Sequence, residues 1–273
     1  VIRAIELSRQ LGLMQEGGFL LKDKFEFAQD LIRQAVTYVR NRMTEDLQIE
    51  EKTRFDDLVT NIDKDTQDFM VSRIQTNYPD DYILGEENDL YHDVKEGHVW
   101  VLDPIDGTVN FIAQGRDFAV MIAYYEEGLG KFGLIYDVTG GNLYSGGGQF
   151  EVTCNGKPLS SYQNRPLFRQ LLGANGRMYA DNYLGLADFA QELLGVRVLG
   201  SAGISMSRVL EGQLFGYCSS ISPWDYAAAS IMGEKLGYEL LTMTGEPLDY
   251  KSRQAVMFIP KAEVARVKKV IHK

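Results

Sequence analysis

The sequence predicts a mixed α/β protein, and two observations carry this expectation. Between residues 117 and 148 ("DFAVMIAYYEEGLGKFGLIYDVTGGNLYSGGG") apolar runs alternate with glycine-rich turns, a pattern typical of an antiparallel meander. From residue 167 onward, short strand-like segments instead alternate with helical ones, which indicates an α/β unit with short connections. The two rhythms meet near "SSYQNRP", so we predict an N-terminal half over residues 25–160 and a C-terminal half over 161–273.

The first half is predicted to begin with helices and short strands. Apolar residues recur at helical spacing from Ala28 to Met43, and a second helix is predicted over residues 66–78, ending before Pro79. The segments "DYILGEEN" and "HVWVLDP" predict a short strand that runs into acids and a buried strand. The charged stretch "TEDLQIEEKTRFDD" predicts an exposed, mobile loop, and residues 1–24 are predicted to be an extension or leader.

Three glycines of the meander have the spacing of a dinucleotide-binding motif, Gly128-x-Gly130-x-x-Gly133. That motif requires a helix directly after the glycines, because the helix N-terminus holds the pyrophosphate. Here "FGLIYDV" follows, which predicts another strand. We therefore interpret these glycines as part of a hairpin turn.

The second half is predicted to contain a regular succession of short elements. In chain order they are strand "LFRQLLGA", a helix over residues 183–194, strand "VRVLG", helix "ISMSRVLEG", strand "LFGYC", helix "DYAAASIMGEKLG", strands "YELLTM" and "AVMFIP", and a closing helix.

The composition indicates an acidic globular protein, with 45% hydrophobic residues, 24% charged residues and a formal net charge of -10. This charge argues against nucleic acid as a partner, and no apolar run approaches the roughly 18 residues of a membrane span. The chain has two cysteines and three histidines, which are too few to favour a disulfide framework, a zinc site or a Ser/His/Asp triad. The low cysteine count favours a reducing, cytoplasmic location. An acidic protein that binds phosphate esters needs local positive charge, for which metal ions are the obvious source.

The stretch "WVLDPIDGTVNF" places Asp103 and Asp106 directly behind an apolar run. Pro104 fixes its own φ and biases Asp103 away from helical geometry, so the turn that follows can bring two carboxylates and a carbonyl together. Gly107 and Thr108 then permit a turn into a helix, whose first N–H groups favour an anion. Oxygen ligands beside an anion site suit Mg²⁺ that bridges to a phosphate. The alternative is a structural turn at Asp106-Gly107 that Asp103 caps.

Further acids stand at the ends of predicted elements. Glu86 and Glu87 follow the strand "YILG". Asp63 precedes a helix in "DDLVTNID", and Asp225 opens a helix in "SPWDYAAAS"; for both, a helix N-cap is the structural alternative. Each acid alone could be structural, but so many carboxylates at element ends together favour a site in which cations neutralise them.

The sequence contains four segments that resemble the signature motifs of the inositol monophosphatase family of Mg²⁺-dependent, lithium-sensitive phosphatases. They are "DLVTNID", "GEEN", "WVLDPIDGTVNF" and "WDYAAAS". The resemblance runs from about residue 25 to the end of the chain. It implies a layered α/β/α/β/α sandwich, which is usually a homodimer.

The resemblance also implies roles for individual residues. A first Mg²⁺ would be bound by Glu86, Asp103 and the carbonyl of Ile105. Asp103 would bridge to a second ion, which Asp106 and Asp225 also bind, and Glu86 and Asp63 would share a third, weaker ion; Mn²⁺ is an expected substitute. The catalytic residues would be Thr108, which orients the attacking water, Asp63, which supports Thr108, and Glu86. The phosphate and substrate contacts would be the N–H groups of Gly107 and Thr108, the loop residue Lys52, and Gly200, Ser201, Ala202 and the position of Cys218.

The last of these positions departs from the family pattern. Inositol-specific members carry a glutamate seven residues before the WD aspartate, where it bonds ring hydroxyls, and here that position is Cys218. A thiol is a poor hydrogen-bond partner for a polyol, and the alternative is a buried strand cysteine. The change puts inositol 1-phosphate in doubt.

Three functions remain open on the sequence. The first is Mg²⁺-dependent hydrolysis of a small polyol or sugar phosphate by metal-activated water, which needs no histidine acid. The second is the same chemistry on fructose 1,6-bisphosphate or on a nucleotide such as NADP or 3′-phosphoadenosine 5′-phosphate. The third is a metal-binding scaffold without catalysis, which the intact ligand set disfavours.

Overall fold

The computed structural model describes residues 2–44, 47–52 and 58–271, with side chains from residue 20 onward. The helices are α1 (Ile2–Arg42), α2 (Asn61–Asn77), α3 (Thr108–Gln114), α4 (Gly176–Ala180), α5 (Leu186–Ala190), α6 (Ala202–Leu210), α7 (Pro223–Leu236) and α8 (Val264–Ile271). The strands are β1 (Ile49–Glu51), β2 (Leu58–Thr60), β3 (Tyr82–Gly85), β4 (His98–Asp106), β5 (Ala119–Glu126), β6 (Leu129–Asp137), β7 (Asn142–Gly147), β8 (Phe150–Cys154), β9 (Lys157–Pro158), β10 (Leu171–Ala174), β11 (Gly195–Arg197), β12 (Gly216–Ile221), β13 (Tyr238–Thr242) and β14 (Gln254–Pro260).

Strands β3 to β9 form one seven-stranded sheet in sequence order. Only β3 and β4 are parallel, and every later pair is antiparallel, so the predicted meander is confirmed. Gly128 lies in the turn between β5 and β6, as predicted, and no helix follows the three glycines. The hairpin interpretation is wrong in one detail, since Gly130 and Gly133 lie within β6 itself.

The second sheet has five strands in the order β11-β10-β12-β14-β13. Strands β11, β10 and β12 are parallel, and β14 is antiparallel to both of its neighbours. The predicted alternation of strands and helices after residue 167 therefore holds, with two changes. The helix predicted over residues 183–194 is reduced to a 3₁₀ turn (Tyr183–Gly185) and the short α5, and the sequence did not predict α4.

Three hydrophobic clusters show that the elements stack in five layers. Helices α1 and α2 cover one face of the seven-stranded sheet, where Leu31 of α1 belongs to the same hydrophobic cluster as Ile122 of β5. Helices α6 and α7 fill the space between the two sheets, where Met206 and Ala228 join a core that includes Val101 and Phe258. Helices α4, α5 and α8 cover the outer face of the five-stranded sheet. The predicted α/β/α/β/α sandwich is confirmed.

The N-terminal region differs from the sequence prediction at two places. The boundary expected at residue 24 falls inside the continuous helix α1, and Lys24 is buried there, where its ammonium group lies 2.5 Å from Asp81. The stretch expected to be a loop, residues 44–57, contains β1, which pairs with β2. The rest of that stretch includes residues 45–46 and 53–57, which lie outside the described residues. Within the described ranges, no helix is both long and apolar enough to cross a bilayer.

Candidate active site

A β-bulge at the end of β4 brings Asp103 and Asp106 to one side of the strand. Asp103 pairs with Met121 of β5 and Asp106 pairs with Ala119, so three steps along β4 match two along β5. In a regular strand, residues three apart point to opposite faces. The extra residue of the bulge reverses this alternation and re-aims the second side chain. The segment Pro104–Ile105 therefore allows both aspartates to face the same point.

Asp225 completes a cluster with these two aspartates. One carboxylate oxygen from each of Asp103, Asp106 and Asp225 lies within 4.8 Å of the other two. Both oxygens of Asp103 are buried and accept no hydrogen bond from any described residue. A buried carboxylate without partners is very unfavourable unless a cation compensates it, so this donor set fits a divalent metal ion that prefers oxygen ligands.

Asp63 and Asp225 are both positioned by a capping box at the start of a helix. Each is the third residue of a helix, α2 or α7, and each bonds back to the residue that caps the helix. One oxygen of Asp63 accepts a hydrogen bond from the Thr60 N–H at 3.0 Å, and one oxygen of Asp225 accepts from the Ser222 N–H at 2.6 Å. The caps are therefore Thr60 and Ser222, and the second oxygen of each aspartate is directed away from its own cap.

Helix α6 fixes the orientation of Asp106. The Ser201 hydroxyl donates to Asp106, as do the backbone N–H groups of Ala202 and Gly203 at 2.9 and 2.8 Å. Three donors at the start of a helix stabilise the ionised carboxylate and restrict its rotation. Ser201 and Ala202 thus have a structural contact that the sequence did not predict, besides lining the cleft described below.

Thr108 lies between Asp63 and the backbone of the bulge. Its hydroxyl oxygen is 3.0 Å from Asp63 Oδ1 and 3.0 Å from the Ile105 carbonyl oxygen. A hydroxyl has one proton, so Thr108 donates to one of these acceptors at a time. When it donates to Asp63, its lone pairs remain available to accept a hydrogen bond from water.

The ammonium group of Lys52 lies beside the acidic end of β3. It is 3.0 Å from Glu86 Oε1 and 2.5 Å from Glu87 Oε1. These contacts raise the pKa of Lys52, because the two carboxylates outweigh the opposing effect of burial. The Glu87 backbone is in turn bound to the side chain of Gln67, whose oxygen accepts from the Glu87 N–H at 2.9 Å. Lys52 therefore sits at the carboxylate cluster through Glu86.

Two glycines allow the chain to approach the cluster closely. Gly107 has φ 88° and Gly200 has φ 76°, conformations that other residues rarely adopt. A Cβ atom at Gly107 would lie 2.9 Å from the Cβ of Ser201, and one at Gly200 would lie 2.7 Å from Asn110 Oδ1. Asn110 also donates to the carbonyls of Leu199 and Asp117, at 2.7 and 2.8 Å, so it joins α3 to the loop that precedes α6.

Burial raises the pKa of every acid in this group. It brings the pKa of Asp225 to about 8, with further contributions from the charges of Asp106 and Glu86. It brings the pKa of Asp63 to about 6, although hydrogen bonds from Thr60 and Thr108 oppose the effect. The pKa of Asp103 is raised well above the ordinary aspartate value, first by burial and then by the surrounding carboxylates. The metal-free cluster therefore resists ionisation and attracts cations.

The metal-free protein is expected to lose stability as pH rises from about 4 to about 8. An acid whose pKa is higher in the folded state binds more protons there than in the unfolded state, so the free energy of unfolding falls with increasing pH. Asp63 and Asp225, with folded pKa values of about 6 and 8, set this window. Thermal unfolding of chelator-treated protein from pH 4 to 8 tests this, and excess Mg²⁺ or Asp225→Asn should reduce the slope. A melting temperature that rises across this range would contradict it.

A cleft of about 430 Å³ opens beside the cluster, between the ends of the two sheets. Most of the residues predicted for metal, phosphate and substrate line it: Glu86, Ile105, Asp106, Gly107, Thr108, Gly200, Ser201, Ala202 and Asp225. Asp63 and Asp103 are completely buried behind this lining. This arrangement joins a cation-attracting group of carboxylates to a space that accommodates a small ester.

Comparison with known proteins now decides the class of this site. The model of the inositol monophosphatase family matches residues 21–271. The chain belongs to this family. It is a phosphoric monoester hydrolase, which agrees with the carboxylate cluster and with the resemblance noted in its motifs.

Several characterised relatives of the inositol monophosphatase family are similar over most of their length. The inositol-1-monophosphatase of Bacillus subtilis (strain 168) is 38% identical over 242 residues, which cover 85% of this chain and 90% of the relative. The structure of inositol monophosphate-bound SaIMPase-II is 28% identical, with a TM-score of 0.80, and 91% of this chain matches 94% of it. An IMPase/NADP phosphatase complexed with Mg²⁺ and phosphate is 26% identical, with a TM-score of 0.85 and coverage of 92% and 95%.

Two predicted substrate contacts, Lys52 and Cys218, do not line the cleft, and Cys218 faces away from it. Cys218 is fully buried in the outer core, with Leu172 and Ile259, on the face of β12 that packs against α5 and α8. Burial raises the pKa of its thiol to about 12. Its strand neighbours Tyr217 and Ser219 line the cleft instead. The alternative of a buried strand cysteine is therefore the one that the structure supports.

Other residues of this phosphatase site were not predicted. Thr60 and Gly203 bind the carboxylates of Asp63 and Asp106, and Arg177 and Arg253 line the cleft. For Thr60 a signal was present, because the spacing Thr-x-x-Asp at a helix start is that of a capping box. The arginines carry no local signal, since each follows an ordinary strand or loop segment.

Proposed function

We propose that the chain is a Mg²⁺-dependent phosphomonoesterase that uses water to hydrolyse a small polyol or sugar phosphate. The observation that carries this proposal is made at Asp103, whose two buried oxygens accept no hydrogen bond from the residues that the structure describes and lie within a cluster of further carboxylates. The relatives support it: one is an inositol-1-monophosphatase, and another binds inositol monophosphate in its crystal structure.

We propose that the chain binds two or three Mg²⁺ ions, for which Mn²⁺ can substitute. The first would be held by Glu86, Asp103 and the Ile105 carbonyl, and the second by Asp103, Asp106 and Asp225. Asp63 and Glu86 would share the third. Bound Mg²⁺ supplies Lewis-acid chemistry, because it lowers the pKa of water and neutralises charge on phosphoryl oxygens. The buried Asp103, the caps that aim Asp63 and Asp225, and the three donors to Asp106 support this assignment.

Thr108 and Asp63 would orient the attacking water. The Asp63 carboxylate accepts from Thr60 on one oxygen and from Thr108 on the other, so the direction of the Thr108 hydroxyl proton is set. The Thr108 oxygen can then accept a hydrogen bond from a water that approaches the phosphorus. Glu86, close to Lys52, would take part in holding that water. Phosphoryl transfer depends mainly on such positioning and on charge neutralisation.

The phosphate would lie against the turn after β4. The backbone N–H groups of Gly107 and Thr108 would donate to its oxygens, and Lys52 would add positive charge from the side of Glu86. Gly200, Ser201 and Ala202 would contact the remainder of the substrate. We also propose that residues 25–160 form a metal-binding half and that residues 161–273 complete the site with Asp225.

We also propose a homodimeric state, inhibition by lithium and a cytoplasmic location, which the resemblance to the family implies. Sedimentation of the purified protein at several concentrations tests the first, and addition of lithium to the phosphatase assay tests the second.

A second substrate class is favoured by a specific observation. One structural neighbour is an IMPase/NADP phosphatase, and Cys218 faces the core, so this position offers no carboxylate to ring hydroxyls in the cleft. Fructose 1,6-bisphosphate or a nucleotide is therefore the alternative substrate. A non-catalytic scaffold remains the weakest candidate, because the complete carboxylate set and Thr108 are present.

Phosphate release from inositol 1-phosphate, fructose 1,6-bisphosphate, NADP and 3′-phosphoadenosine 5′-phosphate is the deciding experiment. We expect turnover only with Mg²⁺ or Mn²⁺. Chelation should abolish it completely, because the carboxylates without metal ions repel a phosphate. Magnesium binding measured by calorimetry, without turnover of any of the four esters, would contradict the proposal and favour a non-catalytic metal-binding scaffold.

A further inference from the structure

We infer that Gln67 is a positioning residue for the candidate metal site, because its side chain holds the turn that carries Glu86 against the helix that carries Asp63. This turn, residues 86–89, directly follows β3 and is called the acidic turn below. The inference rests on the proposed function, in which Glu86 and Asp63 bind Mg²⁺. It adds a residue that acts on the site only through the backbone of Glu87.

The side chain of Gln67 makes a pair of hydrogen bonds with the backbone of one residue. Its amide oxygen accepts from the Glu87 N–H at 2.9 Å, and its amide nitrogen donates to the Glu87 carbonyl. Gln67 is completely buried, and a hydrogen bond shielded from water is electrostatically stronger than one at the surface. Two bonds to the same residue fix both the position and the direction of the backbone there.

Gly85, the last residue of β3, makes room for this contact. A Cβ atom at this position would lie 2.6 Å from the amide oxygen of Gln67 and 2.9 Å from its Cδ. A side chain on residue 85 would therefore push the amide of Gln67 away from Glu87. The end of β3 and the first half of α2 are thus fitted to each other at this point.

Consecutive residues of the acidic turn are held by different elements. The Glu86 N–H donates to the Leu102 carbonyl at 3.3 Å, and Leu102 directly precedes Asp103 on β4. Glu87 is held from α2, the helix that carries Asp63 in its first turn. The first anchor sets Glu86 relative to Asp103, and the second sets it relative to Asp63. Loss of the second anchor would therefore change the distance between two proposed metal ligands.

The acidic turn depends on contacts from outside because its own backbone is strained. Asn88 and Asp89 have φ values of 60° and 51°, in the left-handed region that residues other than glycine rarely adopt. Such residues cost free energy, which the surrounding structure must offset. One further contact from α2 is exposed: the Asn88 amide donates to Asp68 Oδ1 at 2.8 Å. The buried pair of bonds from Gln67 is the stronger tie between the helix and the turn.

The position of Glu87 also determines how Lys52 affects the site. The Glu87 carboxylate lies 2.5 Å from the Lys52 ammonium group, which is 3.0 Å from Glu86 as well. If the turn moved away from α2, Glu87 would leave Lys52, and the lysine would pair with Glu86 alone. A lysine bound in this way competes with Mg²⁺ for the Glu86 carboxylate. Loss of Gln67 should therefore lower the affinity for Mg²⁺ through both the geometry and the charge of the turn.

The experiment replaces Gln67 by methionine, which has the same length but cannot form either hydrogen bond. Magnesium binding is followed by the rise in melting temperature with increasing Mg²⁺, a readout that needs no turnover. It is also followed by Mg²⁺ titration of phosphate release from whichever of the four esters named above is hydrolysed fastest.

We expect the Mg²⁺ concentration for half-maximal effect to rise about tenfold in both measurements for Gln67→Met. Loss of a group that orients a metal ligand typically weakens metal affinity by roughly 10–100-fold. At saturating Mg²⁺, kcat and the KM for the ester should each change less than threefold, because Gln67 contacts no reacting group.

Gly85→Ala breaks the same contact in a second way, since its methyl group displaces the amide and leaves Gln67 itself in place. It should shift the Mg²⁺ dependence in the same direction, and it carries the same expectations if Gln67→Met fails to fold. Met70→Ala is the matched control: Met70 is fully buried on the same helix, within the hydrophobic cluster that α2 shares with α1 and the large sheet. This variant should lose stability and keep the wild-type Mg²⁺ dependence.

Two results would overturn the inference while leaving the proposed function intact. One is a folded Gln67→Met protein with the wild-type Mg²⁺ dependence in both readouts, even if it melts at a lower temperature. The other is an equal shift of the Mg²⁺ dependence in Met70→Ala, which would show that any loss of stability in α2 weakens the site. A wild type that gains no stability from Mg²⁺ and hydrolyses none of the esters would instead refute the proposed function itself.

Discussion

Replacing Asp103 by asparagine is expected to lower kcat for phosphate release at least a hundredfold and, at the same time, to stabilise the metal-free protein. Both oxygens of Asp103 are buried and accept no hydrogen bond within the described part of the chain, so this carboxylate depends on cations more than its neighbours do. An amide offers one neutral oxygen ligand and cannot bridge two ions. In the metal-free state, the same change removes a buried charge that burial and the carboxylates of Glu86, Asp106 and Asp225 disfavour.

The measurement pairs steady-state kinetics with thermal unfolding in chelator and in excess Mg²⁺. The wild type should gain several degrees in melting temperature with Mg²⁺, whereas Asp103→Asn should melt higher than the wild type in chelator and gain little from the ion. Asp137→Asn is a suitable control, because Asp137 is also buried but binds the Gly140 N–H in a turn of the large sheet. That variant should lose stability and keep its Mg²⁺ dependence. More than a tenth of wild-type turnover in Asp103→Asn would contradict the bridging assignment.

The sequence predicted the site better than its surroundings, because the site is built from local signals. Pro104 lies in the bulge, Gly107 directly follows it, and Asp63 and Asp225 stand at helix starts. Short motifs therefore determine where these carboxylates are. Even there, the structure shows what a motif leaves out. The structural alternative for Asp63 and Asp225, a helix N-cap, is wrong in detail, because each lies in the first turn of its helix and bonds back to a separate cap residue.

Cys218 illustrates a limit of strand patterns. Alternation along β12 implies that Tyr217 and Ser219 share one face and that Cys218 has the other. It does not reveal which face borders the cleft, because both faces are covered by helices and both are apolar at most positions. Only the packing of α6 and α7 on one side, and α5 and α8 on the other, decides the matter. The loop prediction for the charged stretch around β1 is wrong for a related reason. The strand that pairs with β1 is β2, and it lies beyond a segment without strand periodicity.

The glycines of β6 show a second limit, which concerns contacts between distant parts of the chain. The local context correctly predicted a strand instead of a helix after these glycines, but it could not show that α7 packs on them. A Cβ at Gly130 would lie 2.5 Å from Ile231 Cγ1, and one at Gly133 would lie 2.2 Å from the carbonyl oxygen of Ala228. Because α7 also carries Asp225 at its start, the lack of a side chain at Gly130 and Gly133 helps to set the position of a candidate metal ligand.

Gly133→Ala is therefore expected to weaken magnesium binding as well as folding. The new methyl group would meet the backbone of α7, which cannot rotate away as a side chain can, so the helix must shift from the sheet. Overpacking of this kind reduces the free energy of unfolding by roughly 1–3 kcal/mol. A shift of α7 moves Asp225 relative to Asp103 and Asp106, and a site that depends on the distances among these three should bind Mg²⁺ at least fivefold more weakly.

Two controls separate this positioning effect from a general loss of stability. Gly195→Ala in β11 places a Cβ at ordinary contact distances of 3.7 Å and should leave both melting temperature and Mg²⁺ dependence unchanged. Leu31→Ala removes a core side chain on α1, behind the far face of the large sheet, and should lower stability by about 2–5 kcal/mol while magnesium activation stays normal. Magnesium titrations of activity, read at a temperature where all variants are folded, compare them directly. A Gly133→Ala enzyme that is destabilised but saturates at the wild-type magnesium concentration would show that α7 tolerates the shift and that β6 does not position Asp225.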